Sequence, residues 1–126
     1  MISHKPFASF VLLTAIACGP ARQAGGICDP FAQGSDSCNG QTVQITGTYS
    51  PHAEQHPLLT PDKRESYWDV AKQGQWIFVS DDTINCTKDV LVTGILRSRV
   101  GPCDSRANNK NQYCGTAVYV KNWQCK

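Results

Sequence analysis

Two patterns stand out along the chain: residues 7–17 carry no charged side chain, and a strict alternation begins near Gln41. Val43, Ile45, Gly47 and Tyr49 alternate there with Thr42, Gln44, Thr46 and Thr48. A period of two, rich in β-branched side chains, predicts a strand with one buried face. Residues 75–80, Gln-Trp-Ile-Phe-Val-Ser, are apolar on both faces, which predicts a strand whose second face is covered by a loop or a neighbouring segment. Residues 89–99 return to alternation, with Val90, Val92, Gly94 and Leu96 on one side, and residues 116–123 predict a last strand. The connecting stretches are polar. Residues 50–74 hold three prolines and leave room for one short strand, at 58–60 or at 67–70. Residues 81–89 predict one helical turn behind an Asp cap, and residues 100–115, with Gly-Pro and Asn-Asn, predict a loop.

A short echo links two of these strands: Val43-Gln-Ile-Thr-Gly47 and Val90-Leu-Val-Thr-Gly94. Glycine inside a strand weakens it unless the strand bends sharply or bulges, and two such positions suit a small closed barrel. From Gln41 to Trp123 the succession resembles the OB-fold: a glycine-bent first strand, an apolar third strand, a short helical link, a second glycine-bent strand and a final strand. The resemblance implies an all-β, five-stranded OB-like barrel, with a β-sandwich as the alternative architecture. Closure would bury Val43, Ile45, Trp76, Phe78, Val90, Val92, Leu96, Val118 and Val120 together.

The charge-free run at residues 7–17 follows a short segment with Lys5 and His4 and ends in Ala15-Ile16-Ala17, the organisation of an export signal. Ala15-Ile16-Ala17-Cys18 resembles the lipobox of bacterial lipoproteins, with Ala15 standing where that family favours Leu. The resemblance implies cleavage before Cys18, diacylglycerol on its thiol, and, with Gly19 next, an outer-membrane address facing the periplasm. More than one acyl chain makes such an anchor stable. An ordinary signal peptide cut after Ala17 would give a freely secreted protein instead. No apolar run reaches the roughly 20 residues a membrane-spanning helix needs. Cleavage leaves 109 of the 126 residues and, with Lys5 removed, lowers the formal charge from +2 to +1. That length favours one small domain. The chain divides into a signal peptide at 1–17, a lipidated N-terminus and cysteine-containing tether at 18–40, and the barrel domain at 41–126. Within the second part, residues 19–27 have neither an apolar period nor the bulk to pack.

Seven cysteines are present, at 18, 28, 38, 86, 103, 114 and 125. An odd number in an exported protein leaves one thiol over; assigning Cys18 to lipid leaves six, enough for three disulfides in an oxidising compartment. Six cysteines allow fifteen pairings. Cys28 with Cys38 and Cys103 with Cys114 would each close a short polar loop, leaving Cys86 with Cys125. A zinc site fits poorly, because no Cys-x-x-Cys pair occurs and no cysteine lies near a histidine at ligand spacing.

Candidate chemistry is sparse. Charged residues make up 17% and hydrophobics 40% of the chain, which excludes a collagen, a coiled coil, a multi-span membrane protein and a highly charged disordered tail. His52 and His56 form His-x-x-x-His around Glu54, the basis for an alternative reading as a metal-dependent hydrolase, but Pro51 and Pro57 flank the pair and deny it a helical frame. No nucleophile elbow, His-Glu-x-x-His or phosphate-cradling loop occurs, and Asp81-Asp82 reads as a turn or cap. Asn85-Cys86-Thr87 matches a glycosylation sequon, which matters only in a eukaryotic secretory pathway. OB-folds bind oligonucleotides and oligosaccharides on the face of strands two and three and on flanking loops. The candidate ligand residues are therefore Arg97, Arg99, Arg106 and Lys110, between the last two strands, with Trp68 and Trp76 as stacking surfaces. A mature charge of +1 lacks the footprint of a nucleic-acid binder. The expectation is a non-enzymatic envelope protein without cofactor or metal, held to the membrane through acyl chains and presenting its barrel loops to a protein or glycan partner. A freely secreted cysteine-rich inhibitor or effector is the alternative.

Overall fold

The computed structural model describes residues 26–51, 55–103 and 112–126. Five strands form in chain order: β1 (Thr42–Tyr49), β2 (Arg64–Val70), β3 (Gly74–Ser80), β4 (Asp89–Val100) and β5 (Gly115–Cys125). They close into a ring in the order β1-β2-β3-β5-β4. All neighbours are antiparallel except β3 and β5, which run parallel from Ile77–Ala117 to Val79–Tyr119. The fold is thus all-β and OB-like. The sandwich alternative fails because β4 pairs with both β1 and β5, and β1 reaches β2 through Thr48–Asp69 and Tyr49–Trp68, so that one sheet closes on itself.

The alternation in β1 and β4 works as expected. Val43, Ile45, Val90, Val92 and Leu96 are fully buried inside the ring with Trp76, Phe78 and Val118, and Val120 packs against them half-buried. In the stretch before β3 the short strand forms at 67–70 and extends back to Arg64, because a tight turn carries it straight into a full ladder with β3. Gln73 N–H donates to the Val70 carbonyl (2.9 Å) and Lys72 takes a left-handed conformation, φ 62°. β2 contributes Trp68 and Val70 to the core.

The helical turn expected at 81–89 does not form. Residues 83–86 take no regular secondary structure, and Ile84 and Cys86 both enter the core cluster. Side chains two apart do not share a side of a helix; burying both, with Cys86 bonded to Cys125, disfavours a helical turn here. A helical turn occurs instead at α1 (Pro30–Gln33), where Asp29 caps the Phe31 N–H and Pro30 opens the helix. A 3-10 turn (Asp36–Cys38) follows. This segment is packed on the barrel: Cys28 N–H donates to the Thr42 carbonyl (2.8 Å), Gly40 N–H to the Leu96 carbonyl (2.7 Å), and Cys28 and Cys38 lie in the core cluster.

Three disulfides staple the body: Cys28–Cys38, Cys86–Cys125 and Cys103–Cys114. These are the pairs that the short loops at 28–38 and 103–114 point to, with the remaining two cysteines joined across the ends of β4 and β5.

Candidate functional site

The outer face of β3 is apolar, and the chain covers it with its own loops. Ile77, Val79 and Ala117 form a second buried cluster under Tyr113, with Leu58, Tyr67, Val100 and Tyr119 packed around it. Two polar devices hold the loops down. The Tyr113 hydroxyl lies 3.1 Å from the Gln75 carbonyl and 2.5 Å from that of Thr116, while the Tyr113 N–H donates to the Pro57 carbonyl (3.2 Å). Glu65 accepts from the N–H groups of Leu58 (2.8 Å) and Thr60 (2.5 Å) through its two carboxylate oxygens. Burial pushes the Tyr113 phenol up to about 12, against a smaller pull from backbone hydrogen bonds at Ile77 and Thr116. Burial, and then the Glu65 charge, also raise Tyr67. For Glu65 burial acts upward, but the hydrogen bonds from Thr60, Leu58 and Leu59 overcome it and leave the carboxyl below its ordinary range. The face on which OB barrels commonly take ligands is therefore occupied by Leu58 and Tyr113. Neither residue was legible as a cover, since their partners lie far away in sequence.

The predicted ligand residues separate into three groups. Trp68 and Trp76 face each other across the β2–β3 ladder at 1% and 2% exposure, so they are core and not stacking surfaces. The Trp68 indole N–H is satisfied by the Ser66 hydroxyl at 2.9 Å, and its ring stacks on Phe78 and meets Tyr49 edge-on. The physical reason for the correction is parity: both tryptophans fall on the inward positions of their strands. Arg97 and Arg99 are exposed, and they belong to β4 rather than to a loop. Arg106 and Lys110 lie outside the described residues, as does His52; His56 is half-buried. Asp81 pairs with Lys63. Among the described residues no three His, Cys, Asp or Glu side chains gather to hold a metal ion, and no helix is long and apolar enough to cross a membrane.

On the outside of β4 and β5, Ile95 sits across from Tyr119, and with Arg97 they line an open depression of about 430 Å³. The segment after the 3-10 turn passes beside the arginine. A methyl group built on Gly40 would lie 3.7 Å from Arg97 Nη1, and Gly40 itself is in a left-handed conformation, φ 82°. The Asn39 side chain, meanwhile, accepts from the Ser98 N–H at 2.9 Å. The result is an apolar floor with a guanidinium at its rim, a surface suited to a planar or anionic group on a partner.

Connectivity and bridges together define a disulfide-stapled OB-like barrel. Compared with protein-family models, curated proteins and solved structures, the chain matches none.

Proposed function

We propose that this protein is a non-enzymatic binding module of the bacterial cell envelope, anchored by lipid on Cys18 and facing the periplasm from the outer membrane. The observation that carries the reading is the cysteine inventory. Three bridges take up six of the seven cysteines, and the seventh, Cys18, falls where the sequence resembles a lipobox. Pairing of six thiols fits an oxidising compartment. The Ile95–Arg97–Tyr119 depression supplies a surface for an envelope protein or a glycan.

The test is detergent-phase partitioning with non-reducing intact-mass measurement on the protein expressed in a lipoprotein-processing bacterium. The expected result is a chain beginning at Cys18, heavier by its acyl groups, in the detergent phase, with a Cys18→Ser variant left uncleaved. A mature chain with an unmodified Cys18 thiol in the aqueous phase overturns the reading in favour of a freely secreted protein.

A further inference from the structure

The parallel pairing of β3 with β5 stops at Val79 and Tyr119, and beyond it the two strands part. On the β3 side the buried Ser80 hydroxyl donates to the Asp82 carbonyl at 2.6 Å where the chain bends after the strand. On the β5 side the ladder with β4 slips between Thr93 and Gly94: Gly94 pairs with Val120 and Thr93 with Asn122, so Lys121 is the extra residue of a bulge. The gap between the two ends is a notch of about 280 Å³ that Asp82, Lys121, Asn122 and Trp123 help to line.

The notch presents hydrogen-bonding groups with no work inside the fold. Lys63 takes the charge of Asp81, but the side chains of Asp82, Lys121 and Asn122 are exposed and have no hydrogen bond or ion pair among the described residues. Trp123 is half-buried, unlike Trp68 and Trp76, and its indole N–H likewise has no partner there. Asp81 and Asp82 line the mouth with Lys121; once Lys63 is counted against Asp81 the charges balance, so a simple ion is a poor match. Acceptors, donors and an aromatic surface around a small opening instead match a neutral polyhydroxylated ring. Such a ring would set its C–H face on the indole, with hydroxyls donating to Asp82 and the Asn122 oxygen and accepting from Lys121 and the Asn122 amide. At about 280 Å³ the notch lies just below the roughly 300–1,000 Å³ of ligand pockets, room for no more than one ring.

We propose that the notch between the diverging ends of β3 and β5 is a saccharide site for one pyranose unit, with Trp123 as the stacking surface and Asp82 and Asn122 as the groups that select hydroxyls. It is independent of the anchor at Cys18 and separate from the Arg97 depression.

The experiment is a titration of the isotope-labelled, disulfide-intact protein with methyl glucopyranoside, methyl galactopyranoside, methyl mannopyranoside and N-acetylglucosamine, with acyclic sorbitol and zwitterionic glycine as controls. Backbone amide shifts and tryptophan emission are read together. The expected result is a saturable shift confined to residues 80–82 and 120–123 with at least one ring sugar and with neither control. Trp123→Ala should weaken it at least tenfold. Because Trp123 also packs against the core, the exposed pair Asp82→Asn and Asn122→Ala provides a second reading. Each should weaken binding several-fold while amide shifts elsewhere stay in place. No saturable shift with any ring sugar, an equal response to sorbitol or glycine, or unchanged binding in all three variants overturns the proposal.

Discussion

A methyl group on Gly47 would lie 2.7 Å from the Cβ of Trp68 and 2.9 Å from the ring of Phe78. The glycine in β1 is therefore a matter of room: the first strand crosses so close to the Trp68–Phe78 stack that no side chain fits between them. Gly94 serves a different purpose. A Cβ there would come within 2.2 Å of the Tyr119 carbonyl oxygen, at the slip between β4 and β5. Gly47→Ala should destabilise the protein by about 1–3 kcal/mol, the usual cost of overpacking a core. Gly94→Ala should cost more, since the obstacle is backbone. Urea unfolding of the two variants tests the order, and equal midpoints to the parent would contradict it.

Tyr113 links the loop after β4 to β3. Tyr113→Phe should lower stability at neutral pH by about 1 kcal/mol through loss of its hydroxyl bonds. The two proteins should also differ in alkali. The folded phenol titrates near 12 and the unfolded one near its ordinary value of 10, so the fold keeps a proton that the unfolded chain releases. Stability is then lost as pH climbs from about 10 through about 12. The parent should show this loss and the phenylalanine variant should show less of it, as read by urea midpoints at increasing pH.

Glu65 has the opposite dependence. Its carboxyl is held low when folded, so its contribution is present above the unfolded value of about 4.3 and disappears as pH falls through the folded one. Glu65→Gln should cost about 1 kcal/mol at neutral pH, discounted for partial exposure, and little in acid. Hydrogen exchange at Leu58 and Thr60, whose N–H groups it accepts, should speed up at neutral pH in the variant. Unaltered exchange would show that the carboxylate does not restrain this loop.

The three bridges should not be equal. Cys86–Cys125 spans 39 residues, against 10 for Cys28–Cys38 and 11 for Cys103–Cys114. Chain entropy alone gives the long loop about 4 kcal/mol and each short one about 3 kcal/mol. Paired Cys→Ala replacement, compared by thermal unfolding, should cost more at Cys86–Cys125 than at Cys103–Cys114, because the entropic contribution is larger and Cys86 also lies in the core. Cys28 and Cys38 are buried in that core, so their removal adds a packing loss to the entropic one.

Much of the barrel was legible in order along the chain. Period-two alternation at Val43–Ile45 and Val90–Val92, the double-sided apolarity of β3 and the repeated Val-x-x-Thr-Gly are local signals, because strand geometry writes its inward face on every second residue. The cysteine positions likewise pointed to loop-closing pairs. Other features depend on contacts between distant residues. Trp76 was expected in the core and also, with Trp68, offered as a stacking platform; the β2–β3 register places both tryptophans inside the ring. The 81–89 link was free to be helical until Ile84 and Cys86 had a core to enter. The notch between Asp82 and Trp123 exists because two strands, parallel neighbours in space and some forty positions apart in sequence, separate after Val79 and Tyr119. By itself the sequence determined which residues prefer burial and which cysteines are close enough to close loops. Tertiary structure alone decided which inward positions meet, what covers the outer face and where the sheet leaves a gap, because those depend on how the ring closes, and no short window of sequence contains that closure.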